Sequence, residues 1–351
     1  MIAPTLFLQR LSTRIARKLG RDPADQAVAA EVVEVSRDEQ AQRPAAFALP
    51  DQLERVRATA PDTTLENEMA RITGGTVRHD ATRAYRFRDL QYFDGFLYCG
   101  GMRRQQVVRP EPLLGRGPVE EIDCCSLPGT TVGDQFFGHF LIDDSATALL
   151  AERFAPPRLP RPTARQDWSH ALRYRERLGI AIPPVGHALI RDAWVFRDHG
   201  MTADRRARLA ELRRRMRADG GRRSGHGVFI RRTGGQARNL ANEPEIEALL
   251  AARGFDIVDT ASQPVDQIAA LLHGAAVVCS VEGSAFAHAL LGMADGGAIV
   301  AIQPPWRFNN PWKDYTDSLG LGYGYVLAEG GATDFRLNPD DLLRTLDLAG
   351  G

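Results

Sequence analysis

The sequence predicts an α/β protein of two lobes, one of them Rossmann-like, and three observations carry that expectation. A chain of 351 residues exceeds what a single ordinary core encloses and suits two domains of roughly 150 to 200 residues each. Its composition, 44% hydrophobic and 25% charged, is that of a chain that buries a core, not of a disordered, collagenous or coiled-coil one. In its C-terminal part, strand and helix signals alternate with short breaks, which predicts a parallel sheet with right-handed crossovers. The expected layout is a basic segment over residues 1–30, an N-terminal lobe over 31–200 and a C-terminal lobe over 201–351.

Within the first twenty residues, Leu6, Phe7, Leu8, Leu11, Ile15 and Leu19 combine with Arg10, Arg14, Arg17 and Lys18. This basic amphipathic helix reads either as a peripheral membrane contact or as a docked or frayed terminal helix. Aromatic stretches broken by turn residues between about 85 and 125, such as Tyr92-Phe93-Asp94-Gly95, predict strands and hairpins. After a loop holding Pro128, Gly129 and Gly133, the run from Phe136 to Phe154 predicts a helix that the proline-rich run 156–162 ends. An arginine-rich helix is expected near 201–218, and Gly220, Gly221, Ser224 and Gly225 read as the loop between lobes.

Next come a strand at 228–230, a helix N-capped by Asn242 and stopped by Gly254, and a strand at 255–258. A helix opened by Pro264 and closed by Gly274 leads to an apolar strand at 275–281, a helix over 283–291 and strands at 298–302 and 323–327. In such sheets ligands bind beyond the carboxyl ends of the strands, so chemistry is expected just after Ile230, Val281 and Ile302.

Lys plus Arg and Asp plus Glu each number 44, and a formal net charge of zero argues against a protein that works by coating nucleic acid. Cys99, Cys124, Cys125 and Cys279 show no CxxC spacing and are expected as reduced thiols. No apolar run reaches the roughly 18 to 20 residues of a membrane-spanning helix, and no cleavable signal is recognised. A cytoplasmic location is expected, peripheral to a membrane where the N-terminal helix binds one.

The segment Arg231-Arg232-Thr233-Gly234-Gly235-Gln236-Ala237-Arg238 sets three guanidinium groups in a Gly-rich loop after a strand. Arginine forks match phosphate oxygens two at a time, so the cluster suits a diphosphate; the alternative is a solvated basic loop. Glu282-Gly283-Ser284 forms a helix mouth whose N–H groups favour an anion. Glu282 can accept from sugar or ribose hydroxyls or cap the helix. His288, four residues beyond Ser284, reads as a phosphate donor or as a satisfied core histidine. His139 and Asp143 stand at i, i+4 near a helix start, where both can face one cleft. No GxxxxGK[ST] loop, GxSxG elbow, Asp-x-Asp or metal-spaced histidine pair occurs. P-loop hydrolysis, α/β-hydrolase catalysis and metal dependence lose support, and no cofactor is expected.

On these residues the chain resembles glycosyltransferase family 61, which includes bacterial capsular polysaccharide biosynthesis proteins. The resemblance spans about residues 125–310. It rests on Phe137-Gly138-His139-Phe140-Leu141-Ile142-Asp143, Ile230-Arg231-Arg232, Arg238-Asn239-Leu240-Ala241-Asn242-Glu243, Gly254-Phe255, Gln267-Ile268 and residues 275–290. Where the commoner pattern has histidine, asparagine and glutamate, this chain has Glu282, His288 and Ala301. The resemblance implies a GT-B architecture, two Rossmann-like lobes facing a central cleft. It also implies inverting, metal-independent transfer from a nucleotide-sugar donor to a saccharide or lipid-linked saccharide acceptor in cell-surface polysaccharide biosynthesis. Donor binding would fall to Arg231, Arg232, Arg238, Asn242, Glu282, Gly283, Ser284 and His288, and acceptor deprotonation to His139 or Asp143 in the N-terminal lobe. Two rivals stay open: an inactive saccharide-binding assembly protein of the same fold, and a sugar-nucleotide epimerase.

Overall fold

The computed structural model describes residues 24–111, 118–161, 170–218, 225–232, 238–331 and 334–350, together with Thr13 and Ile15. Nearly all of the basic N-terminal run, the loop residues Gly220, Gly221 and Ser224, and residues 233–237 of the arginine-bearing loop lie outside the described residues. The chain divides into two compact units, one of residues 1–39 and 79–208 and the other of residues 40–78 and 209–351.

The first unit is built on a six-stranded sheet. Its strands are β1 (Glu31–Ser36), β2 (Thr82–Phe93), β3 (Phe96–Cys99), β4 (Met102–Gln105), β5 (Glu120–Leu127) and β6 (His187–Arg197). They run in the order β4-β3-β2-β6-β5, with β1 also pairing with β2. Every pair is antiparallel except β5 with β6. Asp94, Gly95, Gly100 and Gly101 all have positive φ and reverse the chain in two residues, a connection that joins only antiparallel strands. The second Rossmann-like lobe implied by the resemblance is thereby corrected, because tight turns between aromatic strands build a mainly antiparallel sheet. Its core gathers Phe87, Leu90, Tyr92, Leu97, Ile122 and Ile190. The helix expected from Phe136 forms in pieces: Phe137–His139, a π-helical turn at Phe140–Asp144, then Ser145–Ala151.

The second unit carries β7 (Gly227–Ile230), β8 (Asp256–Val258), β9 (Val277–Val281), β10 (Ala298–Gln303) and β11 (Gly322–Leu327). All five are parallel, in the order β8-β7-β9-β10-β11. Each strand expected from the sequence is present. The helix expected from residue 283 begins later, at Phe286, and runs to Gly292. Buried Arg213 donates to the Leu290 carbonyl and, at 2.9 Å, to that of Met293, satisfying acceptors that the end of this helix leaves open.

Residues 40–78, expected in the N-terminal lobe, belong instead to the second unit. The Phe47 N–H donates to the Tyr323 carbonyl at 3.0 Å and its carbonyl accepts from Tyr325 N–H at 3.2 Å, extending the sheet past its edge strand β11. Gly322 and Gly324 lie within that strand, and a Cβ on Gly324 would stand 2.0 Å from the Phe47 ring. All four cysteines are free. Among the described residues, no helix is long and apolar enough to cross a membrane.

Gly324→Ala is expected to destabilise the protein by about 1 to 3 kcal/mol, the range of overpacking, read from the midpoint of urea unfolding. Gly350→Ala, whose added Cβ meets nothing within 4 Å, is the control and should leave the midpoint unmoved.

Candidate active site

In the first unit the π-helical turn brings His139 and Asp143 together, with Nδ1 2.5 Å from Oδ2. A ring that donates from Nδ1 to a carboxylate keeps Nε2 as its basic nitrogen. The His139 side chain is 39% exposed, that of Asp143 only 12%. Burial disfavours a charged imidazole here, but the hydrogen bond and charge of Asp143 outweigh it and raise the His139 pKa. The second Asp143 oxygen accepts from Arg205, a buried residue whose Nη1 also lies 3.4 Å from Asp198. Asp198 takes two bonds from Arg208, at 2.7 and 2.8 Å, and one each from Thr82 and Thr147 at 3.0 Å. Burial opposes its ionisation, yet Arg208, Arg205 and Thr147 hold its pKa far below the usual carboxylate range.

The spacing of His139 and Asp143 was legible, whereas no motif marks Arg205 or Asp198. The one sequence signal is the arginine density of helix Ala203–Met216, greater than a solvated face needs.

Asp144 lies beside the pair and accepts from Thr130 Oγ1 at 2.7 Å. A Cβ on Gly133, in the short helix Thr131–Gln135, would stand 2.0 Å from its Oδ2, so only glycine lets the carboxyl lie against that helix. Burial pushes the Asp144 pKa up to about 7, with the Thr130 hydrogen bond opposing.

In the second unit β7 and β9 are neighbours, with Ile230 opposite Ser280. Arg232 and Glu282 therefore leave the same carboxyl edge, at the point where strand order reverses and sheets of this order take ligands. The Oε2 of buried Glu282 accepts from Arg238 Nη1 at 2.6 Å, and its carbonyl accepts from Arg238 at 2.8 Å and Arg232 at 3.5 Å. Arg307 Nε lies 3.8 Å from the same Oε2, and Asn309 donates to Oε1 at 3.5 Å. Burial raises the Glu282 pKa against the pull of Arg238, Arg307 and Arg232. Burial, then the charge of Arg238, lowers that of Arg232 to about 10, which leaves it cationic at neutral pH.

Three guanidinium groups thus gather at one buried acid, Arg238 and Arg307 at its carboxylate and Arg232 at its carbonyl. Gly283 permits the approach, since a Cβ there would stand 2.8 Å from Arg232 Nη1. Arg238 holds φ at +66°, an uncommon conformation for a residue with a side chain. Among the described residues, the N–H groups of Gly283, Ser284 and Ala285 donate no hydrogen bond, so the turn can offer them to an anion.

Two expected donor residues stand elsewhere. Arg231 continues the pairing of β7 with β8, donating its N–H to the Val258 carbonyl at 2.8 Å. Its guanidinium lies 3.2 Å from Glu247 and 3.7 Å from Asp259, which corrects its place in the cluster. Asn242 precedes its helix as expected, but its amide donates to Glu245 and to the Leu337 carbonyl and accepts from Leu337 N–H. It pins Leu337 instead of capping the helix or facing the arginines. Ser284 lies half-buried in the turn, and His288 is buried within helix Phe286–Gly292. Arg307 and Asn309 were missed, although they lie just past β10, where the strand-end rule points. Among the described residues, no group of three His, Cys, Asp or Glu side chains is placed to hold a metal ion.

Residues 137–300 match the family model described as Glycosyltransferase 61. No curated protein matches the chain. The matched span holds His139, Asp143, Arg205, Arg232, Arg238 and Glu282, and the match supports a glycosyltransferase.

Folded Asp144 keeps its proton up to about pH 7, whereas the unfolded carboxyl releases it near 3.8. Its contribution to stability is full below the lower value and is lost as pH rises through the higher one. Asp144→Asn, which keeps an acceptor for Thr130, is expected to gain on the parent protein progressively between those limits, by at most about 4 kcal/mol. Thermal melts of both proteins from pH 4 to 8 check this; a stability difference that stays constant with pH would refute it.

Proposed function

We propose, with the similarity to glycosyltransferase family 61 as premise, that this protein transfers a sugar from a nucleotide-sugar to a hydroxyl of a saccharide or lipid-linked saccharide. The transfer inverts the anomeric centre, needs no metal ion and serves cell-surface polysaccharide biosynthesis. The observation that carries this reading is the grouping of Arg232, Arg238 and Arg307 around buried Glu282 at the sheet's switch point.

In the proposed step, His139 Nε2 takes the proton of the acceptor hydroxyl as its oxygen bonds to the anomeric carbon. The bond from that carbon to the diphosphate breaks, and its electron pair leaves with the nucleoside diphosphate. Arg232, Arg238, Arg307 and the N–H groups of the Gly283–Ser284 turn stabilise that charge, the task a divalent cation performs in metal-dependent transferases. Asp143 orients the imidazole, and Arg205 holds Asp143.

A panel of nucleotide-sugars incubated with candidate acceptors, with products read by mass spectrometry, tests the reaction. Isomerised nucleotide-sugar with nothing transferred would instead identify an epimerase. Arg232→Ala and Arg238→Ala should each weaken nucleoside diphosphate binding by about 1.5 to 3 kcal/mol in calorimetry, while Arg231→Ala leaves it near the parent value. His139→Ala should lower kcat by about 10² to 10⁴ with nucleotide affinity unchanged. For the parent enzyme, kcat should rise with pH as His139 loses its proton, with a midpoint above the ordinary 6.5; a pH-independent kcat would remove His139 as the base.

A further inference from the structure

We propose that Trp306 is the stacking platform for the nucleobase of the donor, an inference that rests on the donor reading above. The residue is 46% exposed and sits beyond the carboxyl end of β10, on the edge from which Arg232 and Glu282 also project. An exposed tryptophan is a large apolar surface left in water, and its rigid ring suits a planar partner.

The ring is tethered. Its Nε1–H donates to the Gly330 carbonyl at 2.9 Å, so the polar edge is satisfied while nearly half of the residue stays open to solvent. The backbone beneath it is clamped as well. The Pro305 carbonyl accepts from the N–H groups of Arg57 at 2.7 Å and Ala58 at 3.2 Å, and Phe308 N–H donates to the Ala58 carbonyl at 2.9 Å. Thr59 and Phe308 form a parallel bridge. A platform held in advance gives up little freedom when a ligand arrives.

The neighbouring residue decides what the ligand is. Arg307 reaches toward Glu282, at 3.8 Å, and so belongs to the cationic cluster. Adjacent positions on one clamped loop thus carry a phosphate-side cation and an aromatic face, matching the two ends of a nucleoside diphosphate. A stacking face with its N–H already engaged reads no base edge, so Trp306 supplies affinity for any base and discrimination must come from other groups.

The test is calorimetry of the full-length protein with UDP, GDP, CDP, ADP and inorganic pyrophosphate. Trp306→Ala should weaken the tightest-binding nucleoside diphosphate by about 5- to 150-fold, the value of one base–aromatic stack. Pyrophosphate should change by less than about twofold, and Trp306→Phe should retain most of the nucleotide affinity. Nucleotide binding should also quench tryptophan fluorescence in the parent protein, with the quench lost in Trp306→Phe although that variant still binds. Unchanged nucleotide affinity in Trp306→Ala, or an equal loss for pyrophosphate, overturns the platform and leaves the arginine site standing. If the parent protein binds neither pyrophosphate nor any of the nucleotides, the donor site fails and the platform falls with it.

Discussion

A carboxylate taken out of water must be met by cations and donors, and in the first unit Asp198 imposes that demand. Arg208 meets it with two hydrogen bonds and Thr82 and Thr147 with one each, which ties a strand, two helices and the segment after β6 to one charge. Arg205, also beside Asp198, is left with an edge to spend on Asp143, and Asp143 in turn keeps one oxygen for His139. The proposed base is the exposed end of a chain of buried charges. Removing one partner from such a chain costs about 3 to 5 kcal/mol, because the remaining charge has nowhere to go. The orientation of His139 is therefore enforced by the stability of the unit that carries it.

Glu282 meets the same demand differently. Asp198 is so well supplied with donors that its pKa falls despite burial, whereas that of Glu282 rises because burial outweighs its arginines. Its carboxylate takes one short bond from Arg238, while Arg307 stands at 3.8 Å and Arg232 leans on the carbonyl. In the proposed reaction these same guanidinium groups meet the diphosphate's negative charge, so the acid that gathers them also sets where that charge would bind.

The second unit was legible in its five strands and in the three helices between residues 243 and 292, which leave local marks: an apolar run, a proline at an opening, a glycine at a stop; helices Pro311–Ser318 and Pro339–Ala349 were not read. Parallel order then came from alternation alone, and the β7–β9 edge from the sheet rule. The first unit was less legible. Its turns could be read at Asp94-Gly95, but the resemblance pointed to a second Rossmann-like lobe, and hairpins do not build one. Arg231 and Arg232 are adjacent and chemically identical in sequence, yet one continues the pairing with β8 and meets Glu247 while the other turns toward Glu282. Only tertiary pairing separates them. Arg205 was unreadable for a related reason: its role depends on an acid 62 positions away in sequence.

The excursion of residues 40–78 into the second unit has its physical reason in the loop after β10. That loop carries Trp306, Arg307 and Asn309 beyond the strand end, where the sheet's own hydrogen bonds no longer restrain it. Residues 57–60 bond to its backbone. Buried Glu68 accepts from the Asn310 N–H at 2.6 Å and from its side-chain amide at 3.1 Å. Lys313, fully buried, donates to the Pro44 carbonyl at 2.8 Å and to both oxygens of Asp317 at 2.7 and 2.8 Å. An ammonium has three donors, and here all three are used. In a chain with 42 arginines and two lysines, the compact point charge appears where three acceptors converge and a planar fork would not match them. The excursion thus supplies from a distant stretch of sequence the rigidity that the loop lacks on its own, and any chemistry at that edge depends on it.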